Sequence, residues 1–106
     1  FESCHGINSV KIPDSVTSIG NSAFSGCSAL SYVSLPKTVQ TIGEKAFYYC
    51  KKLSSIYSYN PTPPVCKDNS FIVDTYNCKL YVPQNTKSEY AKSNVWKDFE
   101  NIIEIK

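Results

Sequence analysis

The stretch IPDSVTSIGNSAFSGCSAL, residues 12–30, is followed by LPKTVQTIGEKAFYYCKKL, residues 35–53, and the second nearly restates the first. Working outward, Cys4, Cys27 and Cys50 fall 23 residues apart, and so do Phe1, Phe24 and Phe47. The same step joins Ile7, Leu30 and Leu53, then Val10, Val33 and Ile56, and the pairs Ile12/Leu35, Pro13/Pro36, Val16/Val39, Ile19/Ile42, Gly20/Gly43 and Ala23/Ala46. Chance does not align so many columns. A short period with apolar residues at fixed phases marks a solenoid, because one repeat cannot bury its own apolar face and must stack on its neighbours.

Each repeat reads as three pieces. In LSYVSL (Leu30 to Leu35) the alternation of Val33 and Leu35 is that of a strand. Pro13 and Pro36 end it, since proline brings no N–H to the ladder. VTSIG and VQTIG are a second extended piece, expected to close in a turn where Gly20 and Gly43 take a positive φ. NSAFSGC and EKAFYYC are expected to form one helical turn on the opposite side, burying Phe24, Phe47 and the cysteines.

These residues resemble the BspA-type (treponemal-type) leucine-rich repeat, whose pattern runs roughly L-x-x-I-x-I-P-x-x-V-x-x-I-G-x-x-A-F-x-x-C. The resemblance is close over residues 1–58, and KLYVPQNTKSEYAKSNVWKDFENIIEI is similar to the segment that often closes such arrays. It implies an α/β leucine-rich-repeat solenoid, right-handed and strand-dominated, with short helical turns on the convex side and a C-terminal strand-helix cap. It also implies a surface-exposed or secreted bacterial protein that takes part in adhesion to host or microbial partners.

After residue 56 the columns lapse: Ser58 stands where an apolar residue is expected, and Tyr59 where proline is. The array is read as ending there, giving about two and a half repeats over residues 1–59 and a cap over 60–106. NPTPP, residues 60–64, reads as a stiff extended connection. KLYVP returns as a strand with Leu80 and Val82 inward. Thr86 and Glu89 have capping-box spacing for a helix whose Tyr90, Ala91, Val95, Trp96 and Phe99 would cover the last repeat. NIIEI is expected as a final strand. The chain opens in mid-pattern with no lid, so further repeats are expected upstream.

Cys4, Cys27 and Cys50 read as a ladder of small buried hydrophobes beside Phe24 and Phe47. Cys66 and Cys78 lie outside the ladder, and two readings stand: a disulfide across KDNSFIVDTYN, or free thiols. With one histidine and no C-x-x-C, no metal site and no cofactor are expected. His5 shares its column with Ser28 and Lys51, as an exposed, variable position would. No hydrolase elbow, Walker loop or Rossmann glycine set occurs, so an enzyme is not expected. The formal charge of +2 argues against nucleic acid, and no apolar run is long enough to span a membrane.

Binding has more support. Strand residues between the inward ones form two outward columns: Lys11, Ser34, Tyr57 with Tyr81, and Ser9, Tyr32, Ser55 with Lys79. Tyr32, Tyr57 and Tyr81, with Tyr59 near the edge and Lys11 beside them, make a tyrosine-rich concave face. Tyrosine anchors interfaces well because it adds contact area while freezing few rotors. It also shields open sheets by β-propensity alone. The leading expectation is protein recognition or adhesion through that face, the partner being a host matrix or cell-surface protein or another bacterial surface protein. Carbohydrate is a second class of partner, and a structural spacer or an accessory repeat domain of a secreted enzyme are the alternative roles. The expected location is extracellular or on the bacterial cell surface.

Overall fold

The structure is a computed structural model that describes residues 6–67, 69–72 and 77–105, with the backbone alone for Ile72. Phe1, Cys4 and His5 therefore lie outside the described residues. The chain winds as a series of stacked coils. The first holds β1 (Ser9–Lys11) and β2 (Ser18–Ile19); the second holds β3 (Tyr32–Leu35), β4 (Thr41–Ile42) and β5 (Phe47–Tyr48). The third holds β6 (Ser55–Ser58), β7 (Val65–Cys66) and β8 (Phe71–Ile72). β9 (Lys79–Val82) follows, then α1 (Lys87–Lys92), a 3-10 turn over Trp96–Asp98, and β10 (Asn101–Glu104).

Equivalent strands pair in parallel into three sheets, ordered β1-β3-β6-β9-β10, β2-β4-β7 and β5-β8. The register of the first sheet sets Val10 on Val33, Val33 on Ile56, Ile56 on Leu80 and Leu80 on Ile102. The inward ladder is dry: Val33, Ile56 and Leu80 are fully buried. A second ladder runs through the aromatic rings. Phe24 stacks on Phe47 at 5.2 Å and Phe47 on Phe71 at 4.9 Å, with planes within 8° and 2° of parallel. Each fully buried ring contributes about 2–3 kcal/mol by removing apolar surface from water.

The break after residue 56 is a break in sequence pattern and not in the coil. β7 pairs with β4 as Thr41 on Val65 and Ile42 on Cys66, and β8 pairs with β5 as Phe47 on Phe71. Leu35 still pairs with Ser58, so one extra residue enters between Ser58 and Val65 and the step becomes 24. NPTPP is thus the corner of a third coil. Its carbonyls are taken up from the C-terminal segment: Tyr90 donates its hydroxyl to the Asn60 carbonyl at 2.6 Å, and Trp96 Nε1 donates to the Pro64 carbonyl at 2.9 Å. Because the Tyr90 proton is committed there, the Ser58 hydroxyl, 2.7 Å away, donates to Tyr90. Ser58 is fully buried in the column of Ile12 and Leu35, and the arriving phenol is the physical reason a hydroxyl replaces an aliphatic side chain there.

Three expectations about local structure are corrected. The convex segments are not helical turns: Phe47 and Tyr48 are extended, and Ser22, Phe24 and Gly26 donate backbone N–H to the carbonyls of Glu44, Ala46 and Tyr48 one coil on. Positive φ at Ser22, Gly26, Lys45, Tyr49 and Asn69 turns successive amides outward to that neighbour, which a helix would not allow. With six residues in α-helix among those described, the chain is a strand-dominated β-solenoid, as expected, but without the convex helical turns that would make it α/β. Gly20 and Gly43 are not where the positive φ falls. Gly43 is needed because a Cβ there would sit 2.6 Å from the Asn21 nitrogen of the coil beneath; at Gly20 the space is open.

The capping box does not form either. Thr86 is the N-cap of α1, but its hydroxyl donates to the Pro83 carbonyl at 2.7 Å, and the Glu104 carboxylate accepts the Lys87 N–H instead. Of the residues expected over the last repeat, Tyr90, Trp96 and Phe99 are buried, Val95 is half-buried and Ala91 is exposed. Trp96 and Phe99 contact the Phe71 ring at 5.3 Å and 5.8 Å, continuing the aromatic ladder. β10 lies parallel to β9, as NIIEI suggests.

The thiols are core groups. Cys50 Sγ donates to the Phe24 carbonyl at 3.2 Å, and burial followed by the neighbouring Cys27 pushes its pKa up to about 12. Cys66 carries a free thiol, so the disulfide with Cys78 is not formed. The reason is topological: Cys66 occupies the Ile19/Ile42 column of the middle sheet, whereas Cys78 directly precedes β9 of the five-stranded sheet. Burial also pushes Cys66 up to about 12.

Two predictions follow from the packing. Gly43→Ala is expected to destabilise the chain by about 2–3 kcal/mol through overpacking, while Gly20→Ala is neutral or stabilising by about 0.5 kcal/mol. Urea midpoints of the two variants check this, and equal losses would contradict the close approach. The second concerns alkali. In the unfolded chain Cys50 and Cys66 ionise near 9.0 and Tyr90 near 10.0, but burial holds all three at about 12 in the fold. Raised folded values favour the protonated groups, so this contribution is complete below pH 9.0 and is lost as pH rises towards 12. Under reducing conditions the urea midpoint should fall steadily between about pH 8 and about pH 11; a flat profile would count against buried, neutral thiols.

Candidate functional site

The strand registers carry the outward columns across the whole sheet. One reads Lys11, Ser34, Tyr57, Tyr81, Ile103 and the other Ser9, Tyr32, Ser55, Lys79, Asn101. The sequence columns are thus the structural ones, including the step from Tyr57 to Tyr81 across the inserted residue. Alternation puts these side chains on the face opposite Val33, Ile56 and Leu80.

On that face the expected residues meet. Tyr57 is the hub: its ring lies 5.3 Å from Tyr32, 4.3 Å from Tyr81 and 6.1 Å from Tyr59. The Tyr57 and Tyr81 planes are within 8° of parallel, so each covers a face of the other. Partial desolvation, then the phenols of Tyr81, Tyr32 and Tyr59, raise the Tyr57 pKa and keep its hydroxyl protonated. Tyr32, Tyr57 and Tyr81 are half-buried, Tyr59 is 42% exposed, and Lys11 is exposed.

The face is not uniformly flat. Beside the tyrosines lies an open depression of about 580 Å³ lined by Lys11, Ile12, Asp14, Tyr32, Ser34, Pro36, Lys37 and Tyr59. Ser34, outward by register, is buried at its floor. Asp14 and Lys37 are not among the residues expected at the site, and Pro36 is expected only to end a strand, although a signal exists: Asp14 and Lys37 each follow the repeat's proline, and Tyr59 takes the proline phase. Because tyrosine has the N–H that Pro36 lacks, Tyr59 extends the ladder by donating to the Leu35 carbonyl at 3.1 Å. The wall beyond β6 follows from that one bond.

Among the described residues no group of three or more His, Cys, Asp or Glu could hold a metal ion, and no helix is long and apolar enough to cross a membrane. Tyr48 and Tyr49 pack together at 4.2 Å on another side of the coil, where Lys45 lies 5.2 Å from the Tyr48 ring. They are not part of the tyrosine cluster.

No curated protein matches the chain. The model of the BspA-type leucine-rich repeat region matches six copies over residues 1–106, reaching past residue 56 into the stretch where the coil continues although the columns lapse. Stacked parallel coils, the Phe and Cys ladders and this match over the full length agree: the chain belongs to the BspA-type leucine-rich repeat family.

Proposed function

We propose that this chain is a protein-recognition module that binds its partner through the outward face of the five-stranded sheet, centred on Tyr57. The observation that carries the reading is the continuous tyrosine cluster of Tyr32, Tyr57, Tyr81 and Tyr59, bordered by Lys11 and an open depression. The family supports a repeat module for protein-protein interaction. On this reading the module works outside the cell or on a bacterial surface, where it adheres to a host matrix protein, a host cell-surface protein or another bacterial surface protein. The segment after β9 acts as the cap of the array, while residues 60–72 continue the coil; the cap is supported by the burial of Tyr90, Trp96 and Phe99 beyond Phe71.

Carbohydrate is the less favoured ligand. Sugars stack on open aromatic faces, and the Tyr57 and Tyr81 faces are turned on each other. That same stacking favours one competing reading, in which the tyrosines only shield the sheet and the repeats serve as a spacer. The two separate experimentally. Tyr32, Tyr57 and Tyr81 are changed together to Thr, which keeps strand propensity, and both proteins are probed against arrays of purified matrix and bacterial surface proteins. Recognition through this face predicts about a tenfold or greater loss of binding with little change in melting temperature. Undiminished binding, or a fall in stability with no loss of binding, would leave the spacer reading standing.

A further inference from the structure

Resting on the recognition reading above, we propose that the partner segment seated on this face is an acidic, extended polypeptide whose carboxylates meet Lys11, Lys37 and Lys79. The two outward columns contain Lys11 and Lys79, three tyrosines, three serines, Asn101 and Ile103, and not one carboxylate. The depression adds Lys37, with Asp14 as its one acidic lining residue. All three lysines are exposed. A partner without negative charge would desolvate them for no return, and a carboxylate would be drawn to them.

Hydrogen bonding points the same way. The ammonium groups donate only, the phenol hydroxyls can donate as well as accept, and the tyrosine ring edges carry partial positive charge, so the face as a whole favours acceptors and anions. Polypeptide fits better than an acidic glycan or a nucleic acid. Bases and sugars use open ring faces, and the stack covers one face each of Tyr57 and Tyr81. The depression has Ile12, Pro36 and Tyr32 in its lining, a place for an apolar side chain between charges.

The register also sets a spacing. Lys11 lies three strands from β9, and Lys79 stands two residues before Tyr81, the partner of Tyr57. At strand spacings of about 4.8 Å and a rise of about 3.3 Å per residue, the two lysines are about 16 Å apart at Cα, or about five residues of extended chain. The expected partner segment therefore carries acidic residues about five apart with apolar residues between them.

The test uses the isotope-labelled chain and defined probes in an amide-shift titration. The first probe is the capped peptide Gly-Glu-Ala-Leu-Val-Ala-Glu-Ala-Gly; the others are its Gln-for-Glu and Lys-for-Glu versions and a sulfated hexasaccharide. The Glu peptide should shift the amides of residues 32–34, 55–57 and 79–81, weaken about tenfold when made neutral, and weaken again as salt rises from about 0.05 to about 0.5 M. Lys11→Glu with Lys79→Glu should transfer the preference to the Lys peptide. Equal shifts from the Glu and Gln peptides would overturn the acidic preference while leaving recognition by this face intact. Shifts from the hexasaccharide alone, from the Glu peptide only outside this face, or from no probe at all would also overturn it. If array partners lose binding in the triple tyrosine variant yet are indifferent to salt and to the lysine reversals, this inference fails and the recognition reading stands.

Discussion

A coil of this kind cannot satisfy its own backbone, because its short extended pieces run parallel to their equivalents in the next coil and their N–H and C=O groups find partners only there. That constraint, registration of one coil on another, determines what each position holds. Equivalent side chains must stack, so the core becomes a set of ladders: Val33 on Ile56 on Leu80, and Phe24 on Phe47 on Phe71. It also determines where glycine is required. Gly43 lies against the Asn21 backbone, and the Asn21 side chain accepts the Glu44 N–H at 2.8 Å. Coil contact and glycine are one feature.

The outward face inherits its geometry from the same registration. Tyr57 sits over Tyr81 because Ile56 sits on Leu80, and the ring stack is a by-product of the core ladder. The backbone positions of Lys11 and Lys79 are held at a fixed separation by strands and not by loops. Sequence variation at outward positions leaves the core untouched, so a repeat of this type can change its partner without changing its fold.

How much could be read from the sequence follows from the same physics. The ladders were legible because most inward positions of the first two coils hold apolar residues of similar size, so Val33, Leu35, Ile42 and Phe47 keep their phases. The third coil was not, because the extra residue before Val65 shifts every later column by one, and Cys66 and Ser70 replace Ile42 and Ala46. Ser70 survives at a buried position because its single hydroxyl proton has the Lys67, Gly43 and Ile42 carbonyls within reach, a compensation that no pattern of apolar residues reveals. Backbone sign was equally hidden. Ser22, Lys45 and Asn69 hold the same left-handed conformation at the same phase, yet none is glycine. The tyrosine face was legible because strand alternation alone assigns it, whereas the depression depends on how Pro36, Lys37 and Tyr59 leave the sheet.

The tyrosine face depends on the coil continuing past residue 56, where the sequence columns lapse. Nuclear Overhauser effects between aromatic ring protons measure it most directly. Stacking of the third coil on the second predicts cross-peaks from the Phe71 ring to the Phe47 ring and, on its other side, to Trp96 and Phe99. A Phe71 ring with cross-peaks to Trp96 and Phe99 but none to Phe47 would mean that the coils separate after residue 56, and the face built across Tyr57 and Tyr81 would be lost with them.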